Sequence, residues 1–121
     1  MNSDFTILTG KKVIVTGGAG FVGSNLLEIL LKKTKCEIIS LDNYSSGSRK
    51  NHIKNKRVKY LKGHTSEINK ILYKYKKHIK SVFHFGEFSR IYQSFKKFNE
   101  CFYSNSIGSQ AVFKFCLDNQ I

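Results

Sequence analysis

Proline is absent from this 121-residue chain, and alanine occurs only at Ala19 and Ala111. Asparagine and isoleucine are abundant instead, a drift of composition that runs through the whole chain. Acidic residues are scarce: 21 Lys and Arg face 8 Asp and Glu, for a formal net charge of +13. Arginine is scarce as well, with only Arg49, Arg57 and Arg90 among the 21 basic residues. Arginine is the side chain suited to planar, bidentate recognition of phosphates and bases. The lysines are scattered along the chain rather than gathered into one arm. The charge therefore argues against a specific nucleic-acid partner, while its field still attracts anionic nucleotides.

Cysteine is limited to Cys36, Cys101 and Cys116, an odd number at wide spacing, with no Cys-x-x-Cys pair. That excludes a disulfide framework and a cysteine zinc site, and leaves buried free thiols as the expectation for all three. There is no apolar run long enough to cross a membrane, and no charged stretch followed by an apolar signal core at the N-terminus. A soluble, cytoplasmic protein without a membrane partner is expected. Gly-x-Ser-x-Gly and metal-spaced histidines are missing, so no serine-hydrolase nucleophile and no metal site is expected. Internal repeats, low-complexity segments and an interdomain linker are missing too. Residues 1–121 thus read as a single domain or part of one, with 40% hydrophobic residues to build a modest core.

What the chain does contain is the run Val13-Ile14-Val15-Thr16-Gly17-Gly18-Ala19-Gly20-Phe21-Val22-Gly23. A β-branched strand leads directly into three spaced glycines, and a helical pattern follows. Each part serves the binding of a dinucleotide. Gly17 turns the chain off the strand, Gly20 keeps side chains away from a pyrophosphate, and Gly23 lets the helix approach the strand. The helix directs free N–H groups and its positive dipole end at the phosphates. Val22, Leu26, Ile29, Leu30 and Lys33 recur at helical spacing and are the expected inner face. A second strand, Cys36 to Asp42, ends in an acid 19 positions after Gly23, near the offset of a ribose-binding carboxylate. That carboxylate accepts from ribose hydroxyls and repels a 2′-phosphate, which favours NAD over NADP.

Further along, Lys12–Thr16 and Glu37–Asp42 read as the first two strands, with a helix to about Lys33 between them. Residues 43–48 have turn composition. Arg57–Leu61 reads as a third strand. Thr65 or Ser66 caps a second helix with inner residues Ile68, Ile71, Leu72 and Tyr75. Lys80–Phe85 reads as a fourth strand and Gly86–Ser94 as a loop. Phe95, Phe98, Phe102, Val112, Phe115 and Cys116 suggest one long helix to about Asn119. Alternating strands and helices predict an α/β, Rossmann-type three-layer fold with a parallel sheet in the order 3-2-1-4. The ligand cleft belongs at the carboxyl ends of the strands, where residues 17–23, 42–43 and 85–90 converge.

Three segments then carry a family likeness: Thr16 to Ser24, Leu41-Asp42-Asn43, and Val82-Phe83-His84-Phe85-Gly86. They resemble the extended short-chain dehydrogenase/reductases, and more narrowly the NAD-dependent epimerase/dehydratase family that includes UDP-glucose 4-epimerase. The resemblance runs from Lys11 to Ile121 and implies nucleotide-sugar chemistry by transient hydride transfer to a tightly held NAD. It implies that Gly17 and Gly20, with the backbone of Phe21 and Val22, hold the pyrophosphate. It implies that Asp42 binds the adenosine ribose, with Asn43 and Ser46 beside it. Phe85 and Gly86 line the cofactor cleft, and Asn105 lies near the cofactor.

The chain also departs from the family pattern. Gly63-His64 stands where the family has Gly-Asp, whose carboxylate meets the adenine amine. His64 either accepts one hydrogen bond or stacks on the ring, or faces solvent at a helix start. Gly86-Glu87 stands where the family has two small residues; Glu87 either pairs with Arg90, the favoured reading, or faces a substrate hydroxyl. The family's catalytic Ser/Thr and Tyr-x-x-x-Lys follow a fifth strand, and Ile121 falls about where that strand begins. Two Tyr-x-x-x-Lys matches do occur, Tyr73/Lys77 and Tyr92/Lys96. With six tyrosines and 18 lysines, about one is expected by chance; Tyr73/Lys77 reads as part of the second helix and Tyr92/Lys96 as loop and helix surface, the wrong place for the family's dyad. The expectation is an NAD-binding portion of a nucleotide-sugar epimerase/dehydratase that carries no catalytic residue. Half of a split enzyme completed by another chain, and a non-catalytic NAD-sensing module, are the alternatives. An uncovered fourth strand also predicts self-association at its edge.

Overall fold

The computed structural model describes Leu8 and residues 10–121. Four strands form one parallel sheet in the order β3-β2-β1-β4, as the alternating pattern predicts. They are β1 (Lys12–Thr16), β2 (Glu37–Asp42), β3 (Val58–Lys62) and β4 (Ile79–His84). Between them run α1 (Phe21–Lys33) and α2 (Ile68–Ile71), and after β4 come α3 (Ile91–Lys96), α4 (Phe98–Phe102) and α5 (Ser109–Asp118). β1 pairs with β2 from Lys12↔Glu37 to Thr16↔Leu41. It pairs with β4 from Val13↔Ser81 to Thr16↔His84, with one irregularity at Lys12/Val13. β3 and β4 each sit one residue away from their expected bounds, which is ordinary play at strand ends.

The two-sided burial of a parallel sheet explains the β-branched sequence of β1. Val13 and Val15 face α1, where they pack with Leu27, Leu30, Cys36 and Ile38. Ile14 faces the other way and packs with Ile39, Leu41, Ile68, Leu72, Val112 and Phe115 beneath α2 and α5. Helices on both faces make the three-layer arrangement.

The inner face of α1 is turned by one residue from the expected one. Gly23, Leu27 and Leu30 are buried, whereas Val22 and Ile29 are 57% and 50% exposed. The cause is at the helix start. A Cβ at Gly23 would collide with the Gly17 carbonyl oxygen, so this face alone can approach the glycine turn. α2 is a single turn flanked by 3-10 turns at Thr65–Glu67 and Tyr73–Tyr75. Ile68 and Leu72 are buried as expected, with Ile71 and Tyr75 partly buried against them. Neither Thr65 nor Ser66 caps α2: its N-cap is Glu67, without a side-chain bond, and His64 caps the 3-10 turn before it, its ring accepting from the Ser66 N–H.

The long third helix is broken. α3 starts at Ile91, inside the expected loop, and Lys97 departs from helical geometry at φ −119°, ψ 48°. A π-helical turn at Tyr103–Gly108 then adds an extra residue before α5. The register shift separates two apolar sets. Val112 and Phe115 reach the core, whereas Phe95, Phe98 and Phe102 are 81%, 67% and 55% exposed. The close approach of Gly108 to Thr65 sits at the end of this turn. The cysteines are free, but only Cys36 is buried; Cys101 and Cys116 are half-buried. Among the described residues, no helix is long and apolar enough to cross a membrane.

Candidate functional site

At the carboxyl ends of the strands lies a cleft of about 700 Å³, within the size range of small-molecule sites. Its middle is the glycine turn. Gly17 has φ +75°, and a Cβ there would lie 2.8 Å from the Phe85 backbone. The Gly17 N–H donates to the Leu41 carbonyl at 2.8 Å, so β2 fixes the start of the turn. Gly20 caps α1 without a side chain. A Cβ at Gly20 would meet only the Gly17 carbonyl at 3.3 Å, which leaves its cleft side open. Gly20, Phe21, Val22 and Gly23 all line the cleft, so the first turn of α1 faces it with uncapped N–H groups.

One end of the cleft is built on β2. Asp42, Asn43 and Ser46 line it, together with Ser45, Gly47 and Asn51. The Asp42 carboxylate is nearly buried and accepts from the Ala19 N–H at 3.0 Å and the Tyr44 N–H at 2.8 Å. The Ala19 carbonyl in turn accepts from the Ser48 N–H at 3.0 Å and the Asn51 side-chain amide at 2.8 Å. The loop after β2 is thereby strapped onto the glycine turn. Sequence reasoning missed two parts of this strap. A Cβ at Gly47 would come within 2.8 Å of the Asp42 carboxylate, and one at Gly18 would collide with Ser40. Neither glycine belongs to the spaced triplet, so only contact across the fold reveals them.

The other end is built on β4. His84, Phe85, Gly86, Glu87 and Arg90 line it. The Gly86 N–H donates to Thr16 Oγ1 at 3.0 Å. Thr16 Oγ1 lies 2.6 Å from His84 Nδ1, and His84 Nε2 lies 3.0 Å from Ser109 Oγ. Ser109 donates to Glu87 Oε1 at 2.8 Å. This corrects the expected Glu87–Arg90 pair: among the described residues, Glu87 engages Ser109 and stands 3.4 Å from His84 Nε2. The reason is the fold, since α5 brings Ser109 beneath the loop. Burial pushes the His84 pKa below its ordinary value, against the opposing pull of Glu87, which favours the neutral imidazole. Because the Ser109 hydroxyl donates to Glu87, it accepts from His84 Nε2–H, which in the neutral ring leaves Nδ1 to accept from Thr16.

Asn105 is the one sequence-derived candidate outside the lining. Its side-chain amide donates to the Phe88 carbonyl at 2.9 Å and accepts from the Phe88 N–H at 2.6 Å, which fastens the loop after β4. His64 lies off the main cleft, beside a smaller recess of about 20 Å³ with Asn43, Gly63 and Thr65. It neither faces solvent freely nor points an open acceptor outward. Its Nδ1 is used by Ser66, and its ring sits 4.9 Å from that of Tyr103. Burial lowers its pKa too, against Glu67 and Glu100. Tyr73 and Tyr92 are well exposed, and their rings lie under the Lys76 and Lys96 ammonium groups rather than in the cleft.

The model of the NAD dependent epimerase/dehydratase family matches residues 13–121. The chain belongs to this family. Its similarity to dTDP-D-glucose 4,6-dehydratase of Dictyostelium discoideum is 32% identity over 113 residues, covering 88% of this chain and 26% of that protein. Among solved family structures, epimerase Mth375 of Methanothermobacter thermautotrophicus superposes with a TM-score of 0.84 at 30% identity. That match covers 93% of this chain and 33% of the other. UDP-glucose 4-epimerase of Thermus thermophilus, solved as a complex with NAD, gives a TM-score of 0.79 at 26% identity. It covers 91% of this chain and 35% of the other. The chain thus spans only about a quarter to a third of the length of these relatives, in the part of the family fold that carries the glycine turn.

Proposed function

We propose that this chain binds NAD as the dinucleotide-binding portion of a nucleotide-sugar epimerase or dehydratase. The observation that carries the reading is the cleft itself. One continuous cavity joins a buried acid at the end of β2, a side-chain-free helix start, and the Phe85-Gly86 segment after β4. The open side of Gly20 is the cradle a Cβ would fill, and it suits a pyrophosphate. Asp42 accepts the adenosine ribose hydroxyls, held by the Ala19 and Tyr44 N–H groups. Asn43 and Ser46 border the same end. Phe85 and Gly86 border the nicotinamide half. Bound NAD supplies a hydride acceptor; the chain's own residues bind it, orient it and keep its two halves apart along the strand ends.

No residue of this chain is assigned to proton transfer on a sugar, and Asn105 acts by bracing the loop after β4. A nucleotide sugar is turned over only when a catalytic Ser/Thr and Tyr-x-x-x-Lys come from elsewhere. A second reading, self-association, draws support from the position of β4 at the sheet edge, where one side of the strand is unpaired among the described residues. Light scattering at rising concentration tests it, and a monomer at all concentrations rejects it.

Thermal unfolding with and without NAD, with NADP as control, tests the main reading. At about 100 times its dissociation constant, a ligand bound only to the folded state adds roughly 2.7 kcal/mol. A shift with NAD and none with NADP is expected. A cooperative transition that NAD leaves unmoved overturns the proposal.

A further inference from the structure

A carboxylate stands in the β4 end of the cleft, and its surroundings fix it there. Glu87 accepts from the Ser109 hydroxyl at 2.8 Å, and its Oε1 lies 3.4 Å from His84 Nε2. The chain of donors runs in one direction, from the Gly86 N–H to Thr16, then His84, then Ser109, and finally to Glu87. Each hydroxyl in it has a donor and an acceptor, so every dipole points toward the carboxylate. Glu87 is further held by its own N–H, which donates to the Phe85 carbonyl at 2.9 Å. Burial disfavours the His84 imidazolium that would otherwise offset this negative charge. Arg90 also lines the cleft but makes no ion pair with Glu87 among the described residues.

We infer that Glu87 sets which redox form of the dinucleotide the cleft holds, favouring the cationic oxidised nicotinamide over the neutral reduced one. The inference rests on the proposed NAD reading, which puts the adenosine half at Asp42 and the nicotinamide half at Phe85–Glu87. The oxidised ring carries one positive charge and the reduced ring none, while the rest of the molecule is the same in both. A fixed negative charge near the ring therefore acts on one form alone. Ser109 is a positioning residue here: it holds the carboxylate without meeting the ligand.

The test compares dissociation constants of NAD⁺ and NADH for the 121-residue chain and for Glu87→Gln, by calorimetry at pH 7.5. The ratio of the NADH constant to the NAD⁺ constant is expected to fall about three- to tenfold in Glu87→Gln, through weaker NAD⁺ binding. Glu87→Asp, which keeps the charge, retains most of the wild-type ratio. Asp42→Asn serves as the contrast, since it weakens both forms alike and leaves the ratio unchanged. An equal ratio in wild type and Glu87→Gln overturns the inference while leaving the NAD reading intact. Failure of the wild-type chain to bind either form overturns that reading and this inference with it.

Discussion

The Asp42 carboxylate accepts a hydrogen bond from the Ala19 N–H at 3.0 Å, across 23 positions of sequence. The acid at the end of β2 is thus part of the glycine turn it serves. Ala19 is fully buried, and its carbonyl holds the loop that follows Asp42. One residue in the turn organises both the glycine turn and the β2 end of the cleft.

Asp42→Asn keeps the shape but removes the charge that two backbone N–H groups share. A hydrogen bond to a charged group is worth about 1.5–3 kcal/mol, and the amide oxygen recovers part of it. Loss of about 1 kcal/mol is expected in urea unfolding, together with weaker NAD binding. A variant as stable as wild type would show that the Ala19 and Tyr44 contacts contribute nothing.

Gly17→Ala is the substitution the fold should tolerate least. Its φ of +75° disfavours any L side chain, and the new Cβ would lie 2.8 Å from the Phe85 carbonyl carbon and oxygen. Backbone strain alone costs about 1–3 kcal/mol, and the β1–β4 contact has no room to relax. Loss of the cooperative transition, or a drop of at least about 2 kcal/mol, is expected in circular dichroism melts.

Arg57 has a structural role that spacing did not reveal. Its guanidinium donates to the Leu31 carbonyl at 2.6 Å, the Thr34 carbonyl at 2.8 Å and the Cys36 carbonyl at 3.2 Å. It closes the C-terminal end of α1, where a cation also suits the dipole. Arg57→Met is expected to cost about 2 kcal/mol by urea denaturation. Arg57→Lys recovers little, because one ammonium cannot reproduce the planar fork.

Mild acid should destabilise this protein through two partly buried histidines. Burial lowers the pKa of both His84 and His64 in the folded state from the ordinary value of 6.5. The unfolded chain then binds more protons than the folded one between that value and the depressed folded ones. Stability is full above pH 6.5 and falls as the pH drops through this window. The unfolding midpoint is expected to decrease from about pH 7 to about pH 5, and His84→Gln should flatten part of that slope. A midpoint independent of pH over this range would contradict the burial of both rings.

By itself, the sequence determined the sheet order, the glycine turn, the acid after β2 and the residues that converge at the strand ends. These are local signals: strand composition, spaced glycines and a fixed offset to Asp42, each read within about 30 residues. The tertiary structure decided what depends on contacts between distant elements. It rotated the inner face of α1 through the Gly23 approach, and broke the third helix with a π-helical turn, so that Phe95, Phe98 and Phe102 face outward. It took Glu87 from Arg90 and gave it to Ser109, 22 positions away. Helical periodicity carries no information about which neighbour a half-exposed carboxylate meets. That choice follows only from the packing of α5 against β4.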